Sequence, residues 1–224
     1  MLRDYSLLIG ATGWMHPEWQ TDYYPNDLPQ DWQLGYYSND FPVVMVTRKE
    51  WLNCEQAEDC SIENWLDDTE SSLRFVIELD AEEADFSKWQ VKLDVFNNRL
   101  LGIVMSFNEL PTIKQLQQRC SVWQNHYSVC MDFNTLEPGD ELINEMRHAG
   151  IGWCWHGEGQ SVGLNYGDLL VARVETKNKT PRDLRTIVEA ILASNSAKQR
   201  VLLFDGSPPS IEVMQNAGII LDLL

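Results

Sequence analysis

Four side chains in this sequence are suited to moving protons or holding a cation, and each lies at the end of an apolar run. Asp132 stands next to last in YSVCMDF, His156 follows GIGWCW, Glu175 ends LLVARVE and Asp205 follows RVLLF. Imidazole and carboxylate are the usual general acids and bases. Carboxylates that converge can bind a divalent metal through oxygen. Two of them with separate roles could carry out glycoside-type hydrolysis. His156 is read as a general acid/base, or as a metal ligand beside Glu158. Arg48, Glu78 and Asn134 occupy similar positions near run ends and, with Arg173 inside LLVARVE, are read as ligand contacts, with Trp14 and Trp155 as flat surfaces for a sugar ring or other planar group. The competing reading is structural: polar strand ends cap loops, a loop histidine bonds to nearby backbone, and aromatic residues fill cores.

Alternation within LLVARVE sets Val171, Arg173 and Glu175 on the face opposite Leu170, Ala172 and Val174. A charge buried on the inner face needs a partner. An Arg173–Glu175 ion pair is therefore expected, with anion binding as the functional variant. Cysteine catalysis has less support: Cys154 lies two residues before His156, but nothing marks its thiol as activated. DGS at 205–207 lacks the flanking glycine of a nucleophile elbow.

These residues require elements to position them. Eight apolar segments read as strands: 7–11, 43–46, 73–79, 100–107, 127–133, 150–155, 169–175 and 200–204. Most are near-continuous apolar runs, as in parallel strands covered on both faces. Helical patterns fall between them, within 26–39, from 61, over 85–97, after Pro111, from Pro138 to a glycine cap at Gly150, and from Pro209 to Gly218. The clearest start is Thr180-Pro181-Arg182-Asp183, an N-cap threonine, a proline at the first helical position and an acidic residue three after the cap. Strand and helix in alternation about eight times indicate a TIM-barrel-like (β/α)8 fold in one domain over residues 1–224. The Gly-rich connection after Trp155 is expected to lack its helix. An open doubly wound parallel sheet is the alternative, without a GxGxxG or GxxxxGK[ST] motif to support a nucleotide-binding version.

The formal net charge is −17, with acidic residues spread along the 224-residue chain. This speaks against a nucleic-acid partner, which requires a basic face; the longest basic cluster is Arg48-Lys49. No apolar run approaches the length of a membrane span. The N-terminal apolar run is too short for a signal sequence, so a cytoplasmic location is expected. Five cysteines, an odd number without a CxxC pair, are expected to be free thiols. The four histidines show no HExxH or Cys-paired spacing, which argues against a structural zinc site.

Residues 9–41 carry a more specific pattern. Gly13-Trp14 follows the first apolar run, then come Tyr23-Tyr24-Pro25, Leu28-Pro29, Trp32 and Tyr36-Tyr37. This succession resembles the YecE-like family, domain of unknown function 72, with weaker echoes in LRFVIEL, LLGIVMSFNELP and RVLLFDG. The resemblance implies a TIM-barrel-like fold and brings no established activity. It implies that 9–29 is the first strand and its long loop over the barrel mouth, with Trp14 as a pocket residue and Tyr23-Tyr24-Pro25 pinning the loop.

The chain departs from the family pattern at polar positions. Met45 and Thr47 stand where members typically carry Glu and Asn. Asp132-Phe133-Asn134-Thr135 replaces Glu-Phe-Arg-His, Arg173-Val174-Glu175-Thr176 replaces Arg-Leu-His-Gly, and Phe204-Asp205-Gly206 replaces Phe-Asn-Asn. The resulting expectation is a divergent member that binds a small molecule or a protein partner, with an altered or lost active site. The alternative is a metal-assisted hydrolase or carbohydrate-active enzyme using Asp132, Glu175, Asp205 and His156, with a divalent metal as its cofactor.

Overall fold

All eight apolar runs form strands, and every strand pairing is parallel. The computed structural model describes residues 7–56, 61–82, 85–157, 165–194 and 197–224. The strands are β1 (Leu8–Thr12), β2 (Val43–Val46), β3 (Arg74–Asp80), β4 (Leu100–Ser106), β5 (Val129–Asp132), β6 (Gly152–Trp153), β7 (Leu169–Glu175) and β8 (Gln199–Asp205). They run in the order β6-β5-β4-β3-β2-β1-β8-β7. A parallel bridge from Trp155 to Ala172 joins the two ends. The Trp155 N–H donates to the Val171 carbonyl at 2.9 Å, and the Arg173 N–H donates to the Trp155 carbonyl at 2.8 Å. The sheet is thus a nearly closed TIM-barrel-like barrel, and the open doubly wound alternative is overturned.

The helices are α1 (Trp19–Asp22), α2 (Gln33–Asp40), α3 (Arg48–Gln56), α4 (Ile62–Asp67), α5 (Phe86–Val95), α6 (Ile113–Gln124), α7 (Asp140–Ala149), α8 (Pro181–Ala193) and α9 (Ile211–Asp222). Local chemistry sets their ends. Thr180 and Asp183 form a reciprocal capping box with Pro181 in the first turn, and Thr112 and Gln115 form a second box. Gly150 ends α7 at φ +64°, a left-handed conformation open to glycine at little cost. α3 was not anticipated from sequence. The connection expected to lack a helix includes 158–164, outside the described residues, and so does Glu158. Among the described residues no helix is long and apolar enough to cross a membrane. Cys120, Cys130 and Cys154 are free and buried, whereas Cys54 is disulfide-bonded, a departure from the expectation of free thiols throughout.

Strand alternation divides the core in two. Val43, Met45, Val76, Val104, Cys130, Cys154, Leu169, Val171, Val201 and Leu203 fill the barrel interior. Their neighbours, among them Val44, Phe75, Ile77, Met131, Trp153, Leu170 and Phe204, pack outward under the helices. Full burial of each large aliphatic side chain stabilises by about 1.5–3 kcal/mol. The interior layers therefore fix the register of whatever lies above them.

The aromatic opening segment braces the first βα unit. The Tyr37 hydroxyl accepts from the Ala11 N–H at 2.8 Å and donates to the Val43 carbonyl at 2.9 Å, inserted between β1 and β2. Gly10 permits this approach, since a Cβ there would lie 2.9 Å from the Tyr37 hydroxyl and closer still to the Val43 carbonyl. Gly13 turns the chain at φ +73°, and a Cβ on it would stand 2.5 Å from Glu50 Oε1. Glu50 is buried and accepts hydrogen bonds from the Thr47 N–H at 3.0 Å and from the Thr47 hydroxyl. Burial raises its pKa, and these hydrogen bonds act in the opposite direction.

Replacing Gly13 by Ala combines a disfavoured backbone conformation with a displaced buried carboxylate. The expected cost is about 1–3 kcal/mol, read as a lower urea midpoint at unchanged slope. A midpoint equal to that of the wild type would refute this account of the Gly13-Trp14 turn.

Candidate functional site

The polar residues of the mouth follow from the interior packing by a simple step of two. Val76, Val104, Cys130, Cys154, Val171 and Leu203 point inward. Two residues further along each strand or its extension, on the same face, stand Glu78, Ser106, Asp132, His156, Arg173 and Asp205. All six line one cavity of about 440 Å³, together with Phe107, Asn108, Asn134, Glu175 and Lys179. The cavity lies at the C-terminal ends of the strands, where TIM barrels place their sites.

Arg173 is its centre. Nη1 donates to Glu78 Oε1 and to Asp132 Oδ2, both at 2.9 Å. Nε donates to Asp205 Oδ2 at 3.2 Å and Nη2 to Asp205 Oδ1 at 3.3 Å. One guanidinium on β7 thereby holds carboxylates from β3, β5 and β8. The side chains of Arg173, Glu78 and Asp205 are 18%, 19% and 20% exposed, and that of Asp132 only 2%. Burial opposes the Arg173 charge, but the surrounding carboxylates, Asp205 foremost, outweigh it and hold the guanidinium further above its usual range. The expected partner Glu175 is not among these contacts. Two residues beyond Arg173 along β7, it is exposed and lines the cavity, while the guanidinium donors go to Glu78, Asp132 and Asp205.

Asp132 has a second set of contacts on Oδ1, which accepts from His156 Nε2 at 2.8 Å and from the Asn134 N–H at 2.7 Å. Asn134 turns the backbone there at φ +52°. Burial alone would raise the Asp132 pKa; the hydrogen bond from His156, the charges of Arg173 and His156 and the Asn134 N–H together bring it below the usual carboxylate value. His156 is pushed up to about 10, first by its hydrogen bond to Asp132 and then by one with Cys154, against its own burial. Beneath it Cys154 is fully buried, and burial, its hydrogen bond with Cys130 and the nearby Asp132 charge keep its thiol protonated. The donor atoms of Asp132, Cys154 and His156 lie within 4.8 Å of one another.

Of the residues read from sequence, Asp132, His156, Glu175, Asp205, Glu78, Asn134 and Arg173 share this cavity. Three do not line it. Trp14 is 2% exposed, with its ring edge-on to Trp65 at 5.2 Å and its carbonyl accepting from the Tyr24 hydroxyl at 2.8 Å. The positive φ of Gly13 turns the chain there, and Trp14 lines a different depression with Met15, Leu34 and Asn64. Trp155 alternates outward from β6, so its ring faces away from the mouth. Arg48 heads α3 and sits 3.7 Å from Asp80, 56% exposed. Ser106, Phe107, Asn108 and Lys179 complete the lining. Ser106 was missed because the run LLGIVMSF was read to its end at Phe107; the two-residue step from Val104 identifies it.

A family model described as "Protein of unknown function DUF72" matches residues 8–223. Among solved structures, a DUF72 family protein from Thermotoga maritima is 15% identical, with 96% of this chain and 98% of that one covered at a TM-score of 0.73. A DUF72 family protein from Enterococcus faecalis is 12% identical, with 97% and 96% covered at a TM-score of 0.60. At these identities the likeness shows the shared fold. No curated protein matches the chain.

Two measurements test this electrostatic arrangement. Replacing Arg173 by Met strands three carboxylates, and the expected loss is about 3 kcal/mol, the low end for a broken buried pair because Glu78 and Asp205 retain some contact with water. Adding Asp132→Asn to that variant is expected to cost less than the sum of the two single changes; strict additivity would show that the pair is not coupled. For His156, the folded pKa lies above its ordinary 6.5. Its contribution to stability is therefore complete below pH 6.5 and lost as pH rises through about 10. In chelator-treated protein, the imidazole resonances of His156 are expected to show the cation at pH 8 and to titrate at clearly lower pH in Asp132→Asn. A wild-type midpoint near 6.5 would contradict the pairing.

Proposed function

The chain belongs to the DUF72 family, and on that premise we propose that it is a binding barrel for a small, neutral, hydroxyl-rich molecule of monosaccharide to disaccharide size. The observation that carries this reading is the use of Arg173. All three guanidinium nitrogens donate to Glu78, Asp132 and Asp205, so the central cation of the mouth is already neutralised by the protein, and the positive charges of Lys179 and His156 on the same lining are outnumbered by Glu78, Asp132, Glu175 and Asp205.

What the mouth offers a ligand is an array of carboxylate, amide and hydroxyl groups from Glu78, Ser106, Asn108, Asn134 and Glu175. Such groups accept from and donate to sugar hydroxyls. The volume of about 440 Å³ falls within the range of small-molecule sites. Hydrolysis by a carboxyl pair requires one member to hold its proton as the acid. Asp132 is held ionised between His156 and Arg173, so the most deeply buried carboxylate of the mouth is unsuited to that role. Asp132 therefore does not serve as that acid, and binding is the role proposed for the mouth. The departures from the family pattern at Asn134, Glu175 and Asp205 agree with a site whose chemistry has been altered.

Thermal shift followed by calorimetry tests the proposal on the full chain, using neutral monosaccharides, disaccharides and polyols alongside sugar phosphates. A neutral sugar or polyol is expected to raise Tm, as any ligand selective for the folded state must. Asn108→Ala, at an exposed position on the cavity wall, is expected to weaken that binding by up to about tenfold, the worth of one hydrogen bond. Tighter binding of sugar phosphates, or no response to any neutral compound, would overturn the reading.

A further inference from the structure

At the cavity floor, Asp132, Cys154 and His156 present an oxygen, a sulfur and a nitrogen, all mutually within 4.8 Å. We propose that these three side chains form a binding site for a zinc-like divalent ion, with its fourth position open to the cavity. The proposal stands independently of what fills the space above. Three protein ligands with one open position is the arrangement of a reactive zinc centre, and a mixed O/N/S set selects zinc or cobalt over magnesium or calcium.

The strands place the donors. Asp132 closes β5, and Cys154 and His156 follow β6, its neighbour in the barrel. All three point inward by alternation, Cys154 in the last apolar layer and the other two in the polar layer above it. Tetrahedral zinc with bonds of about 2.0–2.3 Å sets its donors roughly 3.3–3.7 Å apart. The observed spread, from 2.8 Å between His156 Nε2 and Asp132 Oδ1 up to 4.8 Å, therefore needs side-chain shifts on the order of 1 Å, and an ion bound to Nε2 takes the place of its hydrogen bond to Asp132. His156 is part-exposed and lines the cavity whereas Cys154 is fully buried, so the open position faces outward.

The surroundings suit such a centre. Asp132 Oδ2 is gripped by Arg173, which Glu78 and Asp205 hold in turn, so the ligating carboxylate is oriented from behind. The Asn134 N–H fixes its other oxygen. Binding displaces one proton from the Cys154 thiol and one from the His156 imidazolium, and the ion takes both places. Two positive charges replace two, so the net charge of the cluster is unchanged and Arg173 keeps its partners.

The test is cobalt titration of the chelator-treated full chain, followed by displacement with zinc. The expected result is a thiolate-to-cobalt charge-transfer absorption with tetrahedral ligand-field bands, abolished by zinc and unaffected by magnesium. Cys154→Ser is expected to remove the charge-transfer band, while Cys130→Ser, which alters the adjacent thiol that is not a ligand, retains it. No such band in the wild type, or a band that persists in Cys154→Ser, would overturn the site. Should circular dichroism show that Cys154→Ser fails to fold, His156→Ala carries the same test. There, cobalt affinity equal to that of the wild type overturns the proposal, and at least about a tenfold loss supports it.

Discussion

A single guanidinium set among three carboxylates at the barrel mouth determines how the rest of the site is arranged. Arg173 is mostly withdrawn from water, and a cation in that position persists only when its donors are matched by acceptors. Its acceptors come from β3, β5 and β8, so the residue ties together strands on different sides of the barrel. The network also orders its outer members. Asp132 presents one oxygen to Arg173 and is left with the other for His156 and the Asn134 backbone. The ionised state of Asp132 and the cationic state of His156 are thus consequences of the same arrangement.

The interior beneath this network makes it affordable in the energetic sense. Apolar layers from Val43 to Leu203 anchor each strand, and a shift of one residue in any strand would turn its polar end out of the mouth and an outward-packing residue in. The first βα unit contributes scaffold of a different kind. Tyr37 between β1 and β2, Glu50 against Gly13, and Trp14 against Trp65 fix the segment that carries the family pattern, and none of the five lines the rim cavity. The most recognisable part of the sequence is therefore fold-determining and separate from the candidate chemistry.

Legibility in the sequence followed the same division. Eight near-continuous apolar runs disclosed eight buried parallel strands, because a strand covered on both faces has no polar alternation to hide it. Most of the cavity residues could be read because strand ends in a barrel converge. Three aromatic or basic assignments failed for local reasons: the positive φ at Gly13 redirects the chain at Trp14, alternation turns Trp155 outward, and Arg48 belongs to α3, whose polar composition gave no stripe to recognise. Arg173 was correctly set on an inner face, but its partners were not legible. Pairing with Glu175 is what one strand alone can offer, whereas the actual partners lie 32 to 95 residues away in sequence.

Asp132 and Arg173, the two rim positions that the sequence resemblance matches to the family pattern, are in direct contact at 2.9 Å. The positions that depart from it, Asn134, Glu175 and Asp205, are their immediate neighbours around the cavity. This distribution has a physical logic. Removing either member of a buried ion pair leaves the other uncompensated, so the pair can change only together or at considerable cost. Groups around its edge keep contact with water and can be exchanged with little effect on stability. Asp205 illustrates the exchange: as a carboxylate it adds two more contacts to Arg173, consuming the guanidinium donors that would otherwise face a ligand. The Asp132–Arg173 contact is thus the part of the mouth least free to vary, and the residues around it are the part most free to do so.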